Sequence, residues 1–372
     1  MKVLLELDNA EKLYPMLAKL VNIKVKGFYT SEMLCDSSEF LLMPLNSIYR
    51  AVELYKNKSV EKFIIGDTPR MEALTSKIDL MLSMGVVIDD ILIASNEFML
   101  TGDSDKLYNF QNYHRISYIE YHVADHCNLN CKGCLHFAPL VNQEKFAVFD
   151  NVERDLTQLK SIIPYIDTIR ILGGEPLLNP ELTDYLKMTR KLYPLAEINI
   201  VTNGILLQKE NDALISVLKE YHIGVDISVY PPMFGKIDEV VSKILSKGIT
   251  VTCTKPITEF FCPLDKRTGH ARFTSEHHCV CPNLYDGALY VCYIMAYLRY
   301  FNAAFGTNLN DIDGRINIYD SDLTFDKLKV ELHKVRTLCD SCHLLSREYA
   351  VRQKWEPTDS IDIANYMTCE GL

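Results

Sequence analysis

From residue 116 onward the chain alternates between short apolar runs and longer segments in which apolar residues recur every three or four positions. The short runs predict buried strands, and the longer pattern predicts amphipathic helices. Five strands are predicted, at 116–123, 168–172, 197–201, 225–229 and 249–254. The four helices between them are predicted at 151–163, 180–192, 212–221 and 237–246. Regular alternation of strand and helix predicts a parallel sheet, and therefore the α/β class.

The first 113 residues show a separate pattern of the same kind. Its predicted elements are strands at 3–7, 23–29, 60–65 and 90–94 and helices at 46–55 and 71–84. These elements predict a small Rossmann-like α/β domain, joined to the rest by a polar linker at 103–112. No G-x-G-x-x-G loop follows any of these strands, and that loop is what seats a dinucleotide. A docking or oligomerisation role is therefore favoured over nucleotide binding.

Length and composition indicate a globular protein of more than one domain. The chain has 372 residues, of which 48% are hydrophobic and 24% charged, and we predict domains at 1–113, 114–260 and 261–372. No apolar run is long enough to cross a membrane. Glu6 and Asp8 come too early for a signal-peptide core, so we expect a cytoplasmic protein. A net charge of −10 without a basic stripe disfavours nucleic-acid binding.

Twelve cysteines in a chain expected in the cytoplasm indicate metal or redox chemistry rather than disulfides. Cys127, Cys131 and Cys134 form a C-x3-C-x2-C motif directly after the strand at 116–123. Three thiolates on one loop can hold three corners of a 4Fe–4S cube and leave the fourth iron open. The alternative is a structural zinc site with His126 or His136 as fourth ligand, although zinc motifs usually contain cysteine pairs.

A second motif follows the next predicted strand. Gly173, Gly174, Glu175 and Pro176 form a glycine turn that carries a carboxylate. Paired glycines allow the backbone to approach a ligand closely. Taken alone, this turn would be an ordinary connection between a strand and a helix.

In this order, one strand–helix unit apart, the two motifs resemble those of the radical S-adenosylmethionine (radical SAM) superfamily. The resemblance implies a partial (β/α)6 TIM-like barrel with its active site at the C-terminal ends of the strands. It also implies that Cys127, Cys131 and Cys134 hold a 4Fe–4S cluster that binds S-adenosyl-L-methionine (SAM). The residues that it implies for SAM binding are Gly173, Gly174, Glu175, Thr202, Asn203 and Ser228.

Two features depart from the family pattern. The residue before the third cysteine is usually aromatic and packs on adenine, whereas here it is Gly133. Adenine would then be held by Phe137 or another aromatic side chain. The adenine-contacting G-x-I-x-G-x-x-E element is not recognisable near the fifth predicted strand.

The C-terminal third contains a second set of cysteines. A turn at Gly287 between two short apolar runs predicts a hairpin that brings Cys281 near Cys292, and a later pair is formed by Cys339 and Cys342. Two converging pairs suit one zinc ion or one 4Fe–4S cluster. The cysteine order resembles the twitch half of SPASM domains, which implies an auxiliary 4Fe–4S cluster with zinc as the alternative. Cys279 could replace Cys281 as the ligand.

The resemblance implies an iron–sulfur oxidoreductase that cleaves SAM reductively to a 5′-deoxyadenosyl radical and abstracts hydrogen from a substrate. We expect a small polar substrate, such as a sugar or nucleotide-linked sugar, and an electron donor such as flavodoxin or ferredoxin. The auxiliary cluster could accept an electron in a net oxidation, ligate the substrate or only stabilise the fold. The alternatives are a peptide- or protein-modifying maturase and, more remotely, a non-catalytic protein stabilised by zinc.

Overall fold

The structure is a computed structural model. It describes residues 1–30, 39–67, 71–110, 113–209, 211–265, 281–342 and 352–368. The chain divides into two compact units, Met1–Ser117 and Tyr118–Leu372. No helix in the described part of the chain is long and apolar enough to cross a membrane. Whether the second unit contains the two domains expected at 114–260 and 261–372 stays a prediction.

The first unit is built on a seven-stranded, mostly parallel sheet. Its strands are β1 (Lys2–Glu6), β2 (Lys24–Thr30), β3 (Glu39–Phe40), β4 (Met43–Ser47), β5 (Lys62–Gly66), β6 (Ile91–Ala94) and β7 (Leu107–Asn109), in the order β3-β4-β2-β1-β5-β6-β7. Its helices are α1 (Ala10–Leu17), α2 (Ile48–Lys56), α3 (Met71–Ser83) and α4 (Asn96–Thr101). The predicted strand–helix–strand unit is confirmed, since β5 and β6, which precede and follow α3 in the chain, pair with each other in parallel.

In the second unit, the first five strands alternate regularly with helices, and further short strands follow them. Its strands are β8 (Arg115–Ala124), β9 (Tyr165–Gly173), β10 (Glu197–Thr202), β11 (Gly224–Ile227), β12 (Val251–Cys253), β13 (Glu259–Phe261), β14 (Leu264–Asp265), β15 (Asn283–Tyr285), β16 (Ala288–Tyr290), β17 (Arg315–Asn317), β18 (Arg352–Lys354) and β19 (Met367–Thr368). Its helices are α5 (Phe149–Ile162), α6 (Leu182–Leu192), α7 (Asp212–Glu220), α8 (Ile237–Ser246), α9 (Tyr293–Phe305) and α10 (Phe325–His333).

The main sheet of this unit has the strand order β12-β11-β10-β9-β8-β15-β16-β17. Strands β8 to β12 lie side by side in chain order, and β9 to β12 pair in parallel, as a strand–helix barrel requires. These are the five strands that the sequence predicted. Strand β15 pairs in parallel with β8 and comes from the predicted hairpin. The sixth strand of the barrel stays a prediction.

Buried side chains on the helices stabilise the parallel sheet. Leu182, Tyr185, Leu186 and Thr189 of α6 are all buried, as the helical spacing predicted. Fully burying one such leucine contributes about 1.5–3 kcal/mol. The preceding helix differs from the expectation, because it begins at Phe149 and has no side-chain cap. Asp150 therefore lies inside its first turn, whereas the helix was predicted to begin only at residue 151.

Candidate active site

The three cysteines of the C-x3-C-x2-C motif lie on the loop that follows the C-terminal end of β8. Cys131 is buried, Cys127 and Cys134 are partly buried, and all three pack in one cluster with Leu129 and Trp355. The structure therefore brings together the three side chains that the sequence predicts as ligands of one iron–sulfur cluster.

The environment of these thiols disfavours their ionised form unless a cation is present. Burial raises the pKa of Cys127 to about 12 and also raises the pKa values of Cys131 and Cys134. The charge of Cys134 further raises the pKa values of the other two thiols. Because thiolates are the form that binds metal, iron would supply the positive charge that the site lacks.

Polar groups around the loop fit an iron–sulfur cluster. The indole N–H of Trp355 donates to Sγ of Cys131 at 3.1 Å, and Nδ2 of Asn203 approaches Sγ of Cys127 at 3.8 Å. The buried hydroxyl of Tyr366 has no hydrogen-bond partner among the described residues. Burial and the charges of Cys134 and Cys131 raise its pKa. Donors directed at sulfur are what a sulfide-rich cluster accepts.

The glycine turn lies directly against this loop. Gly173 ends β9, and a Cβ at this position would stand 1.9 Å from the carbonyl oxygen of Ala124. A Cβ on Gly174 would stand 2.3 Å from the carbonyl oxygen of His126. The backbone N–H of Gly174 donates to Ala124 at 2.8 Å. Both glycines are therefore needed for the turn to approach the cysteine loop, whatever they contact in a ligand.

Glu175 is fully buried beside the loop and its carboxylate is held by three donors. Oε1 accepts from the hydroxyl of Thr202 at 2.7 Å and from the backbone N–H of Leu177 at 3.1 Å. Oε2 accepts from the backbone N–H of Asn203 at 2.9 Å. Burial outweighs these bonds and raises the pKa of Glu175 to about 7. A ligand ammonium would favour the ionised carboxylate.

The remaining predicted SAM contacts surround Glu175 and the loop. Asn203 also donates to Oδ1 of Asn128 at 2.7 Å, so it joins the Glu175 turn to the cysteine loop. Ser228 lies just after β11, and its backbone N–H donates to the carbonyl oxygen of Thr202 at 2.9 Å. The ends of β9, β10 and β11 therefore converge on one polar site beside three cysteines.

Residues 121–250 match the profile of the Radical SAM superfamily. This span contains the cysteine loop, the glycine turn, Thr202, Asn203 and Ser228. The chain contains a radical SAM domain.

Several curated relatives align with part of this chain. The GTP 3′,8-cyclase of Clostridium acetobutylicum is 35% identical over 114 residues, which is 30% of this chain and 35% of that protein. The GTP 3′,8-cyclase of Alkaliphilus oremlandii is 31% identical over 124 residues, which is 33% of this chain and 38% of that protein. A third, from Clostridium perfringens, is aligned over 48% of its length. The chain thus spans about a third to a half of the length of these relatives.

The solved structures that match this chain are more distant in sequence. BtrN in complex with AdoMet and 2-DOIA is 18% identical, with a TM-score of 0.37, over 63% of this chain and 98% of that chain. Streptococcus suis SuiB bound to precursor peptide SuiA is 15% identical, with a TM-score of 0.31, over 55% of this chain and 46% of that chain. At these TM-scores neither structure carries an argument about the substrate.

Next to the radical SAM site lies an array of buried histidines that the sequence analysis missed. His122 bonds Oδ1 of Asp125 at 2.8 Å and Nδ1 of His136 at 2.9 Å. His122 stacks on Tyr297 and His136 stacks on Tyr293. Burial lowers the pKa of His122 and, together with its neighbour, lowers that of His136 to about 3. Both rings are thus held neutral, and His136 is already engaged in this array.

The predicted auxiliary cysteines lie around the start of α9. The β15–β16 hairpin ends at the Asn283–Tyr290 pair, and Cys281 and Cys292 lie two residues beyond it on either strand. Their approach to each other stays a prediction. Burial and the charges of Cys292, Cys281 and Cys342 raise the pKa of Tyr293. Sγ of Cys339 accepts the backbone N–H of Arg336 at 3.4 Å. Cys279 lies outside the described residues.

Neither cysteine set forms a preformed site for a single metal ion. Within the described ranges, no three His, Cys, Asp or Glu side chains are arranged to hold one ion. The identity of the auxiliary group, iron–sulfur or zinc, therefore stays a prediction.

Aromatic side chains near the loop also differ from the expectation. Phe137 is fully buried and packs against Phe301 and Tyr366, so its ring is not exposed for adenine. Trp355, which no local pattern singled out, lies against the cysteine loop instead. Its only sequence signal is that it is the single tryptophan of the chain.

Proposed function

We propose that this protein is a radical SAM enzyme that generates a 5′-deoxyadenosyl radical and abstracts hydrogen from a small polar substrate. The observation that carries the proposal is the hydrogen-bonded connection, through Asn203, between the partly buried thiol of Cys127 and the buried carboxyl of Glu175. One side of this site suits a 4Fe–4S cluster, and the other suits the ammonium of SAM.

Each residue of the site has a distinct task in this proposal. Cys127, Cys131 and Cys134 would hold the cluster, which when bound would supply the electron for reductive cleavage of SAM. Glu175 would accept the methionyl ammonium, and Thr202 and the Asn203 backbone would orient its carboxylate. The side-chain amide of Asn203 would fix the distance between the turn and the cysteine loop. Ser228, beside Thr202 at the end of β11, would bond the ribose.

The substrate class is inferred from the face of the sheet that points away from the helices. The hydroxyl of Tyr121 bonds Thr189 of α6 at 2.7 Å, so the neighbouring Glu120 points to the opposite face. There Glu120 accepts from Tyr118 at 2.7 Å. On a neighbouring strand Arg170 forms an ion pair with Asp226 at 3.0 Å, and its side chain is 43% exposed. Such polar walls suit a substrate rich in hydroxyl or phosphate groups.

The curated relatives support the same class. They are named GTP 3′,8-cyclases, so they act on a nucleotide, although only 38% and 35% of their lengths align with this chain. We propose a sugar or nucleotide-linked sugar as the substrate here, and flavodoxin or ferredoxin as the electron donor. A second 4Fe–4S cluster at Cys281, Cys292, Cys339 and Cys342 would accept an electron if the net reaction is an oxidation.

The decisive test is replacement of Cys127, Cys131 and Cys134 together by alanine. After anaerobic reconstitution, this variant should lose one cluster and form no 5′-deoxyadenosine from SAM with dithionite. Cys253→Ala is the matched control, because Cys253 is an exposed thiol on β12. It should cleave SAM like the parent protein. Continued SAM cleavage by the triple variant would disprove the proposal.

The substrate class has its own test. Nucleotides and nucleotide sugars carrying deuterium on the sugar would be supplied with SAM and reductant. Transfer of one deuterium into 5′-deoxyadenosine identifies the compound that donates the hydrogen atom. Transfer from a deuterated peptide, and from none of the sugars, would favour the peptide-modifying alternative.

A further inference from the structure

The C-terminal residues 352–368, here called the C-terminal strap, run directly over the cysteine loop. The backbone N–H of Lys132 donates to the carbonyl oxygen of Glu356 at 2.8 Å, and that of Thr358 donates to Asn130 at 2.8 Å. Cys131 and Pro357 form an isolated β-bridge between these two bonds. The strap is thus hydrogen-bonded to the loop on both sides of the second cysteine.

Gly133 is what allows the strap to lie this close. Its φ of +69° is a left-handed conformation, which favours glycine. A Cβ at this position would stand 2.8 Å from the carbonyl oxygen of Asn365 and 1.9 Å from Nε2 of Gln353. An aromatic side chain at residue 133 therefore has no room while the strap is in place.

Trp355 places an aromatic ring at the cysteine loop from the strap. Its backbone N–H donates to the carbonyl oxygen of Thr258 at 2.8 Å, which fixes the strap on its other edge. Its ring stacks on Tyr230, with centroids 6.2 Å apart and planes at 23°, and Phe260 packs in the same cluster. The side chain is buried, with 8% of its surface exposed. Its orientation is therefore set by contacts on several sides.

The one polar atom of this ring points at a predicted cluster ligand. Nε1 of Trp355 lies 3.1 Å from Sγ of Cys131, a close approach for a hydrogen bond to sulfur. Hydrogen bonds to the sulfurs are among the factors that set the potential of an iron–sulfur cluster. One-electron reduction adds negative charge to the cluster and its thiolates, and an N–H dipole directed at sulfur stabilises that charge.

We infer that Trp355 donates its indole N–H to the Cys131 thiolate of the loaded cluster and thereby raises the reduction potential of that cluster. The inference rests on the proposed function, since it requires a 4Fe–4S cluster at Cys127, Cys131 and Cys134. Trp355 acts through Cys131 and is a positioning residue rather than a catalytic one. The strap would then be a component of the radical SAM site, although it is 224 residues from Cys131 in the chain.

The test is an EPR-monitored redox titration of the reconstituted full-length protein and its Trp355→Phe variant. The cluster at the cysteine loop is recognised because added SAM changes its spectrum. Phenylalanine keeps an aromatic ring and removes the donor, so the equilibrium constant for reduction should fall about tenfold, a potential lower by ~59 mV. Phe260→Leu disturbs the same packing without removing the N–H, and should leave the potential unchanged.

A second measurement needs no variant. Because Trp355 is the single tryptophan, labelling the protein with tryptophan containing ¹⁵N at the indole nitrogen labels this one site. Pulsed EPR of the reduced, SAM-responsive cluster should then show coupling to ¹⁵N. A cluster that responds to SAM but shows no coupling, or equal potentials in the parent protein and Trp355→Phe, overturns the inference and leaves the proposed function intact. Absence of any SAM-responsive cluster overturns both.

Discussion

At the scale of single residues, Glu175 is the group whose charge is most sensitive to the presence of a ligand. In the ligand-free site burial raises its pKa to about 7, well above the ordinary value of 4.5. A raised carboxyl pKa contributes stability that is present below about pH 4.5 and is lost as the pH rises through 7. Binding of an ammonium reverses this preference, because the ionised carboxylate is then the favoured form.

We therefore predict that SAM affinity increases as the pH rises through about 7, since the ionised Glu175 becomes populated. Glu175→Gln keeps the shape of the side chain but should weaken SAM binding by about one to two orders of magnitude, as expected for loss of a charge-assisted hydrogen bond worth ~1.5–3 kcal/mol. It should also remove the pH dependence and leave the iron content unchanged. Calorimetric titration with SAM between pH 6 and 8 measures all of these effects except iron content. Unaltered affinity in Glu175→Gln would contradict this assignment of the ammonium site.

Site residues that lie close together in the sequence could be predicted from it. Site residues brought together from distant positions could not. The cysteine triplet and the Gly173–Glu175 turn each lie within a few positions, and the structure places them side by side. His122 and His136 flank the cysteine loop in the sequence, but their mutual hydrogen bond depends on how that loop folds back. No spacing in a sequence marks two histidines that will hydrogen-bond to each other in the fold, so this pair could not be predicted from the sequence.

At the scale of elements, strands and helices with strong periodicity were predicted well, but the pairing of short strands was not. The hairpin at β15 and β16 was predicted from its Asp286-Gly287 turn, and both residues do adopt positive φ values of 45° and 71°. Its parallel pairing with β8 was not predicted, because two short strands distant in sequence carry no mark of their partner. The strap likewise contains strands of three and two residues, too short for a periodic pattern.

The contact between Gly133 and the strap leads to a prediction about stability. Gly133→Ala should lower the free energy of unfolding by about 1–3 kcal/mol through backbone strain. The loss should be larger still, because the added Cβ would meet the carbonyl oxygen of Asn365. Gly248→Ala is the matched control, with φ of +79° but nothing within 4 Å of the added Cβ. Urea unfolding monitored by the fluorescence of Trp355, which lies in the strap, compares the two. An equal loss in both variants would mean that the strap does not press on the loop.

At the scale of the whole second unit, the two cysteine sets are linked by continuous packing. His136 is two residues after Cys134 and stacks on Tyr293, with ring centroids 4.9 Å apart. Tyr293 in turn directly follows Cys292, a member of the second set, in the chain. If the second set holds an iron–sulfur cluster, these rings provide the protein medium between two redox centres. If it holds zinc, the same packing only supports the fold, so metal identity decides between the two roles.

The last prediction separates these roles by metal content. The variant with Cys127, Cys131 and Cys134 replaced by alanine should still bind about four irons, the content of one cubane cluster. Adding Cys339→Ala and Cys342→Ala should bring iron close to zero. In the parent protein that double change should leave SAM cleavage measurable, while product formation should fail if the second cluster accepts the substrate electron. Zinc instead of iron in the triple-alanine variant after anaerobic reconstitution would contradict the electron-transfer role. Because ligation would join segments far apart in the chain, loss of either metal should also destabilise the region around α9.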